Sequence, residues 1–477
     1  MVTSVWMANL AWILLGLNWL LEGRWREKWQ MARASRLLQA YTFLYLLLLA
    51  GMAWTSNTGH GLSVLQVKMP LFFVPLIVLT TRPVEGAARR FILWFYATAV
   101  LVVSIIGVVR LCTIPGLPYR DAIPYISHIR FALNCCMVIF LACNEMRHVK
   151  NGWRIALALV AVWLMLFVVL IHSYTAIAVL TTVPLIVVLL RWRRWQPVAL
   201  WLVAALALAA VVGHEVKSYY NLSPLAQAPL RSLTAAGRPY DHACDGIIES
   251  GNYINNYICR EELRNEWGRR STLPYDSLTG DGYNVEPTLV RYMNALGLTK
   301  DSVGLWSMTD RQIHAVERGV ANPVYESRNP LKKMVYVTLL EREFSRHTHA
   351  VQGFSMLQRF ELWGAAVEVV RQHPWFGVGT GDVDDALHAQ LARQHSDISD
   401  TTKSTHNQYL SFLAAFGIVG LALLLFLFLR AAPRLRQQPA LLLAWALVIL
   451  VSCLTEDTFD TLAGILFSTW FLPHRHP

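Results

Sequence analysis

The chain has 477 residues, 55% hydrophobic and only 15% charged, with a mean hydropathy of +0.38 and a net charge of +11. A soluble domain carries about 25% charged residues, so this composition excludes an ordinary water-soluble enzyme and points to a polytopic membrane protein. The positive charge calls for no nucleic-acid partner, because its placement along the chain has a topological explanation.

Apolar runs long enough to cross a hydrocarbon core of about 30 Å recur throughout. In chain order, spans are predicted near 3–21, 38–54, 64–81, 92–110, 130–146, 154–171, 174–191 and 196–213. After a long polar stretch they resume near 407–430, 438–453 and 459–472. That is about eleven transmembrane helices, with twelve as the alternative count, in an all-α fold. The first run lacks a basic start and a small-residue cleavage site, so it reads as a retained helix rather than a signal peptide.

Basic residues fall in every second connection: Arg24, Arg26, Lys28, Arg33 and Arg36; Arg82, Arg89 and Arg90; Arg147, Lys150 and Arg154; Arg191, Arg193 and Arg194; Arg430, Arg434 and Arg436. TSNTGHGLS, HSYT and LTEDTFD have none. This alternation puts the N-terminus outside, the C-terminus inside, and the long polar stretch on the outer face. The predicted domains are an N-terminal bundle at 1–213 (about eight helices), an outer helical domain at 214–405, and about three C-terminal helices at 406–477.

Within the outer stretch, EELRNEW (261–267), TLVRYMNALGL (288–298) and DRQIHAVERGVA (310–321) have helical apolar spacing. LQRFELWGAAVEVVR (357–371) is apolar on one side and suits the bilayer surface. Cys244 and Cys259 lie in this stretch, where an oxidising compartment permits a disulfide. The other five cysteines lie in or beside helices as packing residues, and none of the seven shows metal-ligand spacing.

Four clusters carry candidate chemistry. In STHNQYLSFLAAFGIVG (404–420), Ser404 or Thr405 is placed to cap the ninth span. His406 then falls in the first turn, where the helix dipole disfavours imidazolium and leaves a ring able to accept a proton. A capping or interfacial histidine is the competing reading of that residue taken alone. In HPWFGVGTGD (373–382), Gly377, Gly379 and Gly381 alternate in a loop whose N–H groups can hold an anion. It is no Walker loop, having no Gly-Lys-Ser/Thr. Arg359 precedes this loop, and Arg130, with His128 two residues before it, lies at the outer mouth of the fifth span. Both arginines sit against apolar surface, where an unpaired cation is costly and an anionic partner is favoured. Arg110 and Arg120 suit snorkelling to lipid headgroups. Finally, Glu456, Asp457 and Asp460 at the start of the last span either suit the helix dipole or orient His406 or a basic partner. A Mg²⁺ site from Asp382, Asp384 and Asp385 has no fixed motif behind it.

An outer face has no ATP, so an enzyme there needs an already activated substrate, in bacteria a lipid diphosphate. The order of these motifs resembles the O-antigen ligase and polymerase superfamily. Arg359 and Trp363 stand ahead of Pro374, Phe376, Gly377, Gly379 and Gly381, followed by His406, Asn407, Leu410 and Gly417. LNWLLEGRWREKW (17–29), SHIRFAL and LTEDTFDTLAG resemble a branch of O-antigen ligase proteins.

The resemblance implies a GT-C-like glycosyltransferase of the bacterial inner membrane with a periplasmic active site. It implies inverting, metal-independent transfer of a glycan from undecaprenyl diphosphate to a sugar hydroxyl of lipid A–core, in lipopolysaccharide biosynthesis, with no cofactor. His406 matches the family's essential histidine and Arg359 its loop arginine. Asn407, the three glycines, Asp382 and Glu456 join Arg130 and His128 as substrate-binding candidates. The family's further arginine, after a serine in a middle span, is missing: Tyr174 follows Ser173 there, and Arg130 is the candidate substitute. An O-antigen or exopolysaccharide polymerase, or a protein O-oligosaccharyltransferase, uses the same donor and histidine. A polysaccharide transporter is the non-enzymatic alternative, argued against by the scarcity of broken mid-span helices and buried charges.

Overall fold

A computed structural model describes residues 5–82, 84, 86–114, 117–192, 195–348, 355–400, 404–437 and 439–470. The chain is mostly helical. Among the described residues the sheet content is one short antiparallel pair, Ile248–Glu249 with Asn252–Tyr253. Among the described residues six helices are long and apolar enough to cross a membrane: Arg36–Trp54, Thr58–Thr80, Gly86–Thr113, Asn151–Leu170, Ala199–Tyr220 and Gln408–Phe426. Shorter apolar helices run over Trp6–Leu21, Tyr174–Leu190 and Ala440–Ser452. Each coincides with a predicted span. Of the predicted basic connections, Arg193 and Arg194 lie outside the described residues, as do residues 471–472 of the predicted last span.

The two remaining predicted spans are helical but of different character. His128–Glu145 carries Arg130, Asn134 and Asn144, and twelve of its eighteen residues are buried. Polar side chains at membrane depth need protein partners, and enclosure supplies them. Asn134, for example, accepts from the Tyr96 hydroxyl at 2.8 Å. Leu462–Trp470 has only nine residues. The third span begins at Thr58 rather than near 64, because the Asn57 side chain accepts from the His60 N–H and caps the helix through a polar turn that hydropathy alone discounts.

Contacts divide the chain into two compact units, Met1–Ala199 with Arg359–Gln394 and Ser399–Pro477, and Leu200–Gln358 with His395–Ile398. The first has a core of Leu44, Leu48, Phe131, Met137, Phe167 and Val448. In the second, the helices Arg260–Arg270, Val285–Ala295 and Asp310–Arg318 form where apolar spacing predicts them and bury Leu263, Trp267, Leu289, Met293, Ile313 and Val316. Thr309 and Gln312 close a capping box on the last of these. Cys244 and Cys259 are free thiols, one exposed and one buried, so the disulfide that the sequence permits is not formed.

The glycine loop serves packing rather than anion binding. The Val378 and Gly379 N–H groups donate to the Ala414 and Ala415 carbonyls at 2.9 Å each, and Gly381 N–H to the Thr55 hydroxyl at 3.2 Å. Its donors, with Gly377 N–H on the His373 carbonyl, are thus spent on neighbouring carbonyls and a hydroxyl, which corrects the anion-cradle reading of Gly377, Gly379 and Gly381. The loop wedges into a break in the Gln408–Gln437 helix. There Gly417 has φ 64° and ψ −170°, and a Cβ would lie 2.3 Å from the Trp375 carbonyl. The freed Ile418 and Val419 N–H groups donate to Pro374 and Trp375. Gly417→Ala adds a side chain at a left-handed φ against rigid backbone, so its expected cost is about 1–3 kcal/mol. A thermal melt of the purified variant unchanged from the parent would contradict this packing role.

Candidate active site

The segment that carries His406 is not the first helical turn. The helix starts at Gln408, and the Asn407 side-chain oxygen accepts from the Tyr409 and Leu410 N–H groups at 3.1 and 3.2 Å. Asn407 is therefore the cap, which corrects both the capping assignment to Ser404 or Thr405 and the dipole argument for His406. Asn407's carbonyl oxygen serves the helix rather than a substrate.

His406 sits one residue earlier, with φ 52°, a conformation uncommon for a residue with a side chain. Two contacts hold it there. Its N–H donates to Asp457 Oδ2 at 2.7 Å and lies 3.2 Å from the Ser404 hydroxyl. Asp457 also accepts from the Ser404 hydroxyl and from Ser411 at 2.7 Å, so one buried carboxylate gathers both ends of the segment. Burial pushes the Asp457 carboxyl up, and Asp460 adds to this, while the Ser404 and Ser411 hydroxyls act in the opposite sense. Trp363 Nε1–H donates to the Thr405 carbonyl at 3.0 Å and fixes the segment from the other side. The His406 ring itself makes no hydrogen bond or ion pair among the described residues. It is half-buried and available.

The preceding residue, Glu456, holds the arginines. Arg359 Nη2 is 2.8 Å from Glu456 Oε1, and Arg130 Nη2 is 3.9 Å from Oε2. Arg130 also donates to the Asp457 carbonyl at 2.8 Å and to Thr458 Oγ1 at 3.2 Å. Two guanidiniums, on helices far apart in sequence, thus meet on one carboxylate. Glu456 and Arg130 are almost fully buried. One carboxylate between two cations leaves a net positive charge in low dielectric, an arrangement suited to a second anion. His128 stands close enough to Arg120, Asp121 and Arg359 to feel their charges.

Other candidates lie elsewhere. Tyr174 is 59% exposed and makes no side-chain hydrogen bond among the described residues, so it does not stand in for a third clamp cation. Asp382 accepts from the Ser56 and Asn57 N–H groups at 2.6 and 2.7 Å, and Asp385 from the Asn57 amide at 2.8 Å. Asp384 faces His60 at 3.6 Å instead. These carboxylates diverge onto separate partners, so Asp382 reads as a tether for the 55–57 turn rather than a substrate contact. Among the described residues no group of three His, Cys, Asp or Glu could hold a metal ion.

Sequence reasoning overlooked Thr458, Ser411, His60 and Lys68. Ser411 and Thr458 lie inside stretches singled out in the sequence, but only the packing of distant helices makes these four residues neighbours of the site.

Comparison with curated proteins gives no match. Residues 321–425, which contain Arg359, Trp363, the glycine loop and His406, match the family model described as O-antigen ligase. Over this stretch the chain is similar to the O-antigen ligase family.

Proposed function

We propose that the protein is a periplasmic O-antigen ligase of the bacterial inner membrane. It transfers a glycan from undecaprenyl diphosphate to a sugar hydroxyl of lipid A–core. The observation that carries this reading is that consecutive residues tie together the two halves of such a site. Glu456 binds Arg359 and Arg130, and Asp457 anchors His406.

In the reaction, the His406 ring takes the proton of the acceptor hydroxyl as that oxygen attacks the anomeric carbon. The bond from that carbon to the donor's diphosphate breaks, and the lipid diphosphate leaves with the electron pair. Arg359 and Arg130 stabilise the charge that grows on it. In the resting protein Glu456 occupies the clamp, keeping two buried cations from facing each other unpaired. The diphosphate takes over that role on binding. Attack from the face opposite the leaving group gives inversion. No step here calls on a metal.

The alternative of polymerisation uses the same donor and base, so the two differ in the acceptor. The test is complementation of a bacterial cell lacking its own ligase, with lipopolysaccharide resolved on a gel. The parent gene restores banded polysaccharide on lipid A–core, and without it the lipid-linked polymer accumulates. Restoration of polymer length with no attachment to lipid A–core would select polymerisation and overturn ligation.

A further inference from the structure

Beside the segment that carries His406, the first unit forms a half-open cavity of about 240 Å³ whose walls include His60, Lys68, Asp384, Ser404, Phe412 and Asp460. We infer that this cavity is a binding subsite for an uncharged sugar ring of the acceptor glycan. The assignment to the acceptor rests on the transfer reaction proposed above; the assignment of a sugar does not.

Three observations carry it. First, the lining mixes both kinds of surface that a sugar needs. Val64, Val67 and the largely buried Phe412 and Phe416 offer apolar wall to C–H groups, while acceptors and donors project at fixed positions for hydroxyls. Second, the polar groups are held in place by one another. Lys68 Nζ lies 2.9 Å from Asp460 Oδ1, and the Gln408 amide donates to the same oxygen at 3.2 Å. The His60 ring is fixed by Gly381 O at 2.8 Å from Nδ1, leaving Nε2 towards Asp384. Carboxylates accept from paired hydroxyls, and Lys68 has further protons to donate.

Third, the charges nearly cancel. Lys68 is matched by Asp460, and Asp384 adds a negative charge, so the cavity disfavours phosphate and the donor's diphosphate. That anion belongs at Arg130 and Arg359. Burial pushes the Asp384 carboxyl up, with His60 and Lys68 acting against it and Asp460 in the same sense. His406 is not among the lining residues, but Ser404 and Thr405 just before it are. The ring held here is therefore a neighbour of the reacting sugar rather than the reacting sugar itself.

The test uses the full-length protein in nanodiscs, titrated calorimetrically with a neutral, dephosphorylated, lipid-free core oligosaccharide. Val67→Trp fills the cavity from an exposed wall without removing a buried contact, and Asp384→Asn removes one acceptor. The expected result is about tenfold weaker binding in each, with inorganic pyrophosphate failing to compete. In ligation, Val67→Trp raises the acceptor KM by a similar factor and leaves the donor KM unchanged. Unaltered oligosaccharide binding in both variants, or displacement of the oligosaccharide by pyrophosphate, overturns the subsite. Binding is read without donor, so it separates the two proposals. A His406→Asn protein that still binds the oligosaccharide but transfers normally sinks the catalytic reading and leaves the sugar site standing.

Discussion

Replacing His406 with asparagine abolishes glycan transfer, with kcat falling by about 10²–10⁴-fold, the range that general-base catalysis supplies. Asparagine is the informative substitution because it tolerates the left-handed conformation that position 406 adopts at φ 52°. A residue held in that region costs on the order of 1–3 kcal/mol, and here Asp457 and Ser404 impose it through the His406 N–H. His406→Asn keeps the backbone bond, so the protein should purify at the parent's level and melt at a similar temperature. Any loss then belongs to the ring. Initial rates with purified protein and lipid-linked donor decide the matter. More than about a tenth of the parent kcat in this variant would exclude His406 as the base and leave a structural bend as its role.

The spans were legible because apolar length is a local property, and the helices Arg260–Arg270, Val285–Ala295 and Asp310–Arg318 because spacing is. What could not be read was whatever depends on which backbone groups are left over. Gly377, Gly379 and Gly381 carry the composition of an anion loop, but His373, Ala415 and Thr55 take their N–H groups, and Ala414 that of Val378. The break at Gly417 that frees the two alanine carbonyls is not visible in an apolar run. The cap of the His406 helix was misplaced for a related reason. Ser404, Thr405 and Asn407 all have side chains suited to capping, and the Asp457 carboxylate, 53 residues away, removes Ser404 from the competition.

By contrast, Arg130 and Arg359 were identifiable as cations set against apolar surface, because that environment demands a partner wherever the partner comes from. Their meeting on Glu456 depends on helix packing. The acidic run 456–460 suggested it only as one choice among several.

That meeting sets the second large effect. Arg130→Ala and Arg359→Ala each lower kcat/KM for the donor by about 10²–10³-fold, as expected for removing one donor from a preorganised anion site. Lysine at either position restores charge without the planar fork and recovers only part of the loss. Retention of kcat/KM within threefold in both alanine variants would remove the diphosphate from this site.

Glu456→Gln separates clamp from scaffold. It leaves Arg130 and Arg359 facing each other with a neutral partner, and breaking a buried pair in this way costs about 3–5 kcal/mol. The melting temperature therefore falls. An anion that fills the clamp should restore it, since a ligand that binds only the folded state stabilises by mass action. Inorganic pyrophosphate is the probe, and its stabilisation of Glu456→Gln should exceed that of the parent, where the carboxylate competes for the same guanidiniums. If pyrophosphate stabilises the parent and the variant equally, Glu456 does not occupy the anion's place, and the two arginines serve only to tie residues 456–458 to the helices that carry them.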